Sequence, residues 1–336
     1  MPTIRLPIEE SSQCAEARRI AQKLAAEAGF NEVRAGQVSI VVVEVATNIL
    51  KHAGRGEILL HVTRPEGAPP GLEVLALDKG PGMRDIEVCL RDGFTTASSP
   101  GQGLGAIRRL ADESDFYSVP GEGTAVLARW STPPRVHPFS AEPHLLVGAV
   151  NVAKYGQEFC GDSWGIEQSE DFSTVLLADG LGHGFEASQA SLEALRVLRE
   201  NPDLAPGLLI DLSHRALRSL RGAALSIAKL DRMRDKITFS GLGNVAGYIF
   251  SGAERCHQMV SVSGTAGHHA ARIREFSYPW PANGILIMHS DGLSTNTGLD
   301  SRPGLAHHDP TLIAGALYRD FNRGHDDATV VVARAA

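Results

Sequence analysis

Apolar positions recur at helical spacing early in the chain. Ala17, Ile20, Ala21, Leu24 and Ala28 share one face, and Gly29 follows as a stop. Over 34–53, the positions Val38, Val41, Val42, Val45 and Ile49 mark a second helical face. The β-branched run Val41-Val42-Val43 also permits a strand, but the length of the periodic stretch favours a helix. The patterns over 57–64 and 72–77 read as strands joined by a Pro/Gly-rich turn at 65–71. A helix is predicted over 106–113, and strands over 116–119 and 125–130 flank Gly121-Glu122-Gly123. This half predicts two layers, with helices on one face of a mixed sheet.

The pattern breaks at 131–143, where Pro133, Pro134, Pro138 and Pro143 remove backbone donors and fix φ. An extended linker is expected there, between domains at 1–130 and 144–336. Beyond it strands dominate, at 145–154, 163–168, 173–178, 223–230, 236–241, 246–250, 285–289 and 329–334. Helices are predicted over 187–199, 208–220 and 310–322. Strands covered by helices suggest helix-sheet-sheet-helix, so the fold class is α+β: a two-layer sandwich followed by a four-layer αββα sandwich.

Composition narrows the picture little. With 336 residues, 43% hydrophobic and 21% charged, two ordinary globular domains are expected. The net charge of −7 argues against nucleic-acid binding. Cys14, Cys89, Cys160 and Cys256 are far apart and form no CxxC pair, so they read as free thiols of a reducing cytosol. The start has no signal-peptide core, and no apolar run approaches the ~20 residues of a membrane helix. A cytoplasmic location without a membrane partner is the expectation.

In the first half Glu44 and Asn48 lie four apart on the predicted helix and point the same way, with His52 a turn further along that line. An amide oxygen beside a carboxylate suits a magnesium-bound nucleotide, the carboxylate serving to orient or deprotonate a hydroxyl. Asp78 ends a strand and enters the turn Gly80-Pro81-Gly82, where an acid can accept from an exocyclic amine such as that of adenine. Gly101, Gly103 and Gly105 are placed just before a helix, whose free N–H groups bind phosphate. Each piece alone is ordinary: a solvated helix face, a tight turn, a chance GxGxG. That GxGxG follows no strand of a dinucleotide-binding unit, and only the order of all three is specific.

In the second half Asp162, Asp179, Asp291 and Asp326 follow strands or sit at turns. No His/Cys set of zinc type accompanies them, so hard oxygen ligands suggest magnesium or manganese. Two such ions could share a hydroxide and clamp a phosphate for in-line attack. Any single Asp-Gly pair is more often a turn; four such positions over this span are harder to dismiss. The pairs His268-His269 and His307-His308 face different ways and are poor metal sites. The Gly-rich run 263–267 reads as a loop, and Trp164 and Trp280 as core or loop anchors.

The first set resembles the GHKL ATP-binding fold over 1–130. Glu44 and Asn48 match its N box, 78–82 its adenine box and 101–105 its phosphate box. Asp92-Gly93-Phe94-Thr95-Thr96, 105–110 and 120–124 are similar to the RsbT-type switch kinases, a branch near the RsbW anti-sigma kinases. The resemblance implies Glu44 as catalytic base, Asn48 as magnesium ligand and Asp78 as adenine reader. It implies further ATP contacts at His52, Gly80, Gly82, Met83, Gly101, Gly103, Leu104, Gly105 and Thr124. Such kinases phosphorylate serine or threonine on STAS-domain proteins. The second set resembles the metal-dependent PPM phosphatases, in the SpoIIE/RsbX branch, over 144–336. It implies metal ligation by Asp162, Asp179, the Gly180 carbonyl, Asp291 and Asp326, with Asp327 given the lesser role. His183 is then structural or phosphate-contacting, and no arginine stands at the type 2C phosphate-binding position. Together these imply a bifunctional kinase and phosphatase of a partner-switching or stressosome-like pathway, using ATP, Mg and Mn. Separate targets or gating would prevent a futile cycle. An anti-sigma module that sequesters a sigma factor is the alternative, and a site reduced to docking ranks last.

Overall fold

The computed structural model describes residues 3–64, 69–90, 103–132, 144–252, 256–270, 272–294 and 299–336. The chain falls into two compact units, Thr3–Ser140 and Ala141–Ala336. The proline-rich stretch 133–143, the 92–96 segment and Gly101 lie outside the described residues.

The N-terminal unit begins with β1 (Ile4–Ile8), α1 (Ser11–Glu27) and α2 (Glu32–Asn48), followed by a π-turn at Ile49–Ala53. Then come β2 (Gly56–Thr63), β3 (Gly71–Asp78), α3 (Ile86–Cys89), α4 (Gly103–Leu110), β4 (Glu113–Val119) and β5 (Gly123–Ser131). The sheet order is β1-β2-β3-β5-β4. Every described pairing is antiparallel, which corrects the expected mixed sheet. The missed strand β1 supplies an edge, and its short pattern is too brief to show periodicity. Asn31 caps α2 by accepting from the Arg34 N–H at 2.9 Å, a contact worth about 1 kcal/mol. The periodic face of α2 packs with Ala17, Ala21 and Leu24 of α1 onto Ile58, Leu60, Leu72, Val74 and Val126 of the sheet. By length and hydropathy Glu32–Ala53 could cross a membrane, contrary to the expectation that no run comes near that length. Its apolar stripe is accounted for by this core.

The C-terminal unit carries two sheets. One has the order β13-β10-β9-β8-β7, from Ser261–Val262, Lys236–Leu242, Ala223–Asp231, Phe172–Gly180 and Asp162–Gln168, with β16 (Phe276–Pro279) also paired to β10. The other has the order β12-β11-β17-β18-β6, from His257–Gln258, Ala246–Phe250, Ile285–His289, Ala328–Ala335 and Leu145–Val152. Short strands β14 (Gly264–Thr265) and β15 (His269–Ala270) pair with each other. Val175, Leu177, Phe239, Ile249, Met288, Val331 and Trp280 fill the space between the sheets, with Trp164 packed against them. Helices α5 (Phe185–Glu200) and α6 (Pro206–Ala216) bury Ala190, Ala194, Leu209 and Ile210 on Leu176, Leu225 and Ile227. Helix α7 (Pro310–Phe321) packs on β6 and β18. Four layers result, because both sheets are apolar on both faces.

Candidate functional sites

In the N-terminal unit the last turns of α2 carry Glu44 and Asn48, both half-buried. A Cβ on Gly103, the first residue of α4, would stand 2.8 Å from Glu44 Oε2 and 3.4 Å from Asn48 Nδ2. The helix start and the acid–amide pair thus meet, and a side chain at 103 would require the Glu44 carboxylate to shift. Gly103 and Gly105 lie within α4 rather than before it, and the helix ends at Leu110, since Glu113 already belongs to β4. His52 falls in the π-turn and is exposed, whereas Glu44 and Asn48 are half-buried on α2. The wider pitch of a π-turn shifts the phase of everything beyond Asn48.

A second group of the expected residues lies on β3, β4, β5 and the turn after β3. Asp78 stands in register with Thr124. Its Oδ1 accepts from the Gly80 N–H at 2.8 Å, which closes the turn. Gly123, at φ +101°, brings its backbone so near that a Cβ would lie 2.1 Å from the Asp78 carbonyl. The Ser118 hydroxyl accepts from the Met83 N–H at 2.8 Å and lies 3.0 Å from Thr124 Oγ1. Asp78, Met83, Ser118 and Thr124 therefore form one polar corner. Ser118 had no sequence signal, because its partners lie on other strands.

In the C-terminal unit Asp162 opens β7 and Asp179 lies next to the end of β8, directly opposite each other in the antiparallel register. The Gly180 N–H donates to the Gly161 carbonyl at 3.2 Å. Asp291 follows β17, and its Oδ2 accepts from Asn244. Asp326 is exposed, and its Oδ1 caps the Asp327 N–H at 2.9 Å. Asp327 is buried, and its Oδ1 accepts from the Lys154 N–H at 2.8 Å, so it holds the β6–β7 loop. Asp162 Oδ2 and Asp327 Oδ2 are buried without a hydrogen-bond partner.

Beneath these acids runs a network that the sequence reading missed. Asn151 Nδ2 donates to Thr329 Oγ1 at 2.8 Å and to the Asp162 carbonyl at 3.2 Å, and the Thr329 N–H donates to Ser290 Oγ at 3.0 Å. Ser290 immediately precedes Asp291 and Thr329 lies three residues after Asp326, so the sequence held these residues beside the acids without giving the reason for them.

The electrostatics are lopsided. Burial, then the charges of Asp162, Asp291, Asp326 and Asp327, push the Asp179 carboxyl up to about 9. Burial raises Asp162 to about 7; hydrogen bonds from Ser290 and Thr329 oppose this, while Asp327 and Asp291 add to it. Asp291 and Asp327 are also raised, by burial first. Arg323 offsets part of the rise at Asp291. Arg221 lies beside Gly182, 3.1 Å from the position of a Cβ there, and pairs with Glu186. These two arginines were not singled out in the sequence. His183 is exposed. Among the described residues no three His, Cys, Asp or Glu side chains converge on one ion position. The donor chemistry nevertheless fits a hard divalent cation, since oxygen donors predominate and clustered negative charge is poorly offset by protein cations.

A histidine kinase-like ATPase domain model matches residues 8–130, and a stage II sporulation protein E (SpoIIE) model matches 170–336. The chain belongs to the first family through its N-terminal unit and to the second through its C-terminal unit. Over 115 residues it is 38% identical to the serine/threonine-protein kinase RsbT of Bacillus subtilis (strain 168), spanning 34% of this chain and 86% of that protein. Over 154 residues it is 26% identical to the phosphoserine phosphatase RsbX of the same organism, spanning 45% of this chain and 76% of that protein. A chain of the solved structure described as "The bacterial stressosome: a modular system that has been adapted to control secondary messenger signaling" superimposes with a TM-score of 0.52 at 25% identity, covering 56% of this chain and 99% of that one.

Proposed function

We propose that the N-terminal unit transfers phosphate from ATP to a serine or threonine of a STAS-domain protein, and that the C-terminal unit hydrolyses such a phosphoester. The observation that supports this is that polar residues distant in sequence come near one another in each unit. Gly103 lies on Glu44 and Asn48 in one, and Asp162 faces Asp179 beside Asp291, Asp326 and Asp327 in the other. Similarity to a serine/threonine kinase and to a phosphoserine phosphatase supports the two activities.

In the kinase half, the Glu44 carboxylate would accept the proton of the attacking hydroxyl. Asp78 would accept from the adenine amine, and Met83, Thr124 and Ser118 would wall that corner. The α4 N-terminus, with Gly103, Leu104 and Gly105, would donate N–H groups to the phosphates. Asn48 would hold magnesium. In the phosphatase half, Asp162, Asp179, the Gly180 carbonyl and Asp291, with Asp326, would hold magnesium or manganese. The ions would lower the pKa of bound water and neutralise phosphate charge. Asp327 fixes the β6–β7 loop, and Ser290 and Thr329 orient Asp162. Arg323 and Arg221 would offer the phosphate the cationic contact that the sequence did not show.

The test separates the units. Asn48→Asp should abolish ATP binding by calorimetry and leave hydrolysis of p-nitrophenyl phosphate intact, while Asp179→Asn should do the reverse. If either substitution removes both activities, the two-site reading falls. Retention of a sigma factor rather than phosphorylation of a STAS-domain protein would replace the kinase assignment with sequestration.

A further inference from the structure

The loops that adjoin the acidic residues carry exposed apolar side chains. Two loops meet there. The β6–β7 loop runs into Gly161 and Asp162, and the β8–α5 loop leaves from Asp179 and Gly180. Tyr155 on the first loop is 84% exposed and Phe159 41%, while Leu181 on the second is 42% exposed and Phe185 56%. The Phe159 and Phe185 rings meet edge to face with centroids 5.3 Å apart. Gln157 also crosses to the second loop, its Oε1 lying 2.7 Å from the position of a Cβ on Gly184.

Chain length fixes how near these groups lie to the acids. Phe159 precedes Asp162 by three residues and Leu181 follows Asp179 by two, so their Cα atoms lie within about 11 Å and about 7 Å of those aspartates. Tyr155 adjoins Lys154, whose N–H is held by Asp327. A phosphoserine side chain reaches only roughly 5 Å from its own backbone, a few bond lengths. A phosphate seated among Asp162, Asp179 and Asp291 therefore brings the residues on either side of it down onto these two loops. The ring contact explains why Phe159 and Phe185 are kept, as a clasp between loops. It does not explain Tyr155 or Leu181, which are exposed on the same two loops. Exposed apolar side chains grouped around a polar opening mark a contact surface.

We propose that Tyr155, Phe159, Leu181 and Phe185 form a docking rim for apolar residues flanking the phosphoserine of a protein substrate. This inference rests on the phosphatase reading of the C-terminal unit and adds the chemistry of what the site selects. The occupant is a phosphopeptide segment with aliphatic or aromatic neighbours, not an acidic one, since the opening already carries an excess of negative charge.

Two synthetic phosphoserine peptides of equal length and charge serve as probes, one with Leu and Phe beside the phosphoserine and the other with Ser and Gly. The wild-type chain with manganese should show kcat/KM for the apolar peptide at least about tenfold higher, in line with a few anchor contacts. The double variant Tyr155→Ser/Leu181→Ser, which leaves the phenylalanine clasp in place, should bring the ratio to within about twofold, with p-nitrophenyl phosphate hydrolysis unchanged. Fluorescence anisotropy of both peptides on the Asp179→Asn protein should report the same preference in binding. Equal binding of the two peptides, or a preference that survives the double variant, overturns the rim. A binding preference in a chain that hydrolyses no phosphoester leaves the rim standing and removes the phosphatase reading instead.

Discussion

The two candidate sites are built by different means. In the N-terminal unit the working surface is backbone brought close: Gly103 against Glu44 and Asn48, and Gly123 against Asp78. In the C-terminal unit it is side-chain charge crowded at strand ends, with Asp179 facing Asp162 in register. The first site is sensitive to added volume. The second would be sensitive to the loss of a neutralising ion, because burial and mutual repulsion both penalise its charged carboxylates. Similar ligand chemistry thus rests on packing in one unit and on electrostatics in the other.

The sharpest test of this contrast is Asp179→Asn. Phosphatase turnover should fall at least about a hundredfold, since the proposed metal ligand is lost. Removing the most strongly raised carboxyl should at the same time increase the melting temperature of the ion-free chain at pH 8. A lowered melting temperature would show that repulsion does not govern this site. In the N-terminal unit, Asp78→Asn should weaken ATP binding by about tenfold or more, because the adenine acceptor is lost, while p-nitrophenyl phosphate hydrolysis stays level. Unchanged ATP affinity in calorimetry would remove Asp78 from the adenine corner.

Gly103→Ala tests volume alone. The new methyl would press on Glu44 Oε2 at 2.8 Å. The Glu44 side chain can yield, so a loss of ATP affinity of several-fold to about tenfold is expected with the fold intact by circular dichroism. No loss would show that the helix start does not approach the pair. The smallest effect concerns pH. Asp162 and Asp179 rise from their ordinary 3.8 to about 7 and about 9, so between those limits the folded ion-free unit holds more protons than the unfolded chain. Its stability should therefore fall as pH rises from 6 to 9, by roughly a few degrees in melting temperature, and added magnesium should restore it. A melting temperature that is flat with pH, or that magnesium leaves unchanged, would contradict charge crowding.

Much of the fold was legible because its periodic signals are long. The α2 stripe from Val38 to Ile49 and the continuous apolar runs of β8 and β9 each span enough residues to outweigh local ambiguity, including the Val41-Val42-Val43 run. Short strands such as β1 and β12 to β16 carry too few positions for a period to show. The quoted aspartates and glycines were visible as motifs, yet Ser118, Asn151 and Arg323 were not, since each acts through neighbours distant in sequence. The position of His52 relative to Asn48 was not legible either. A helical line extrapolated past Asn48 assumes an unbroken pitch, and the π-turn changes it.

By itself the sequence determined two apolar cores, two families of polar motif and the order in which they occur, because hydrophobic spacing and glycine or aspartate punctuation are local properties. Only the tertiary structure decided the antiparallel sheet, the face-to-face placement of Asp162 and Asp179, the burial of Asp327 beside an exposed Asp326, and the approach of Gly103 to Glu44. Those facts depend on strand register and loop closure, through which residues far apart along the chain come to share one dielectric and one volume.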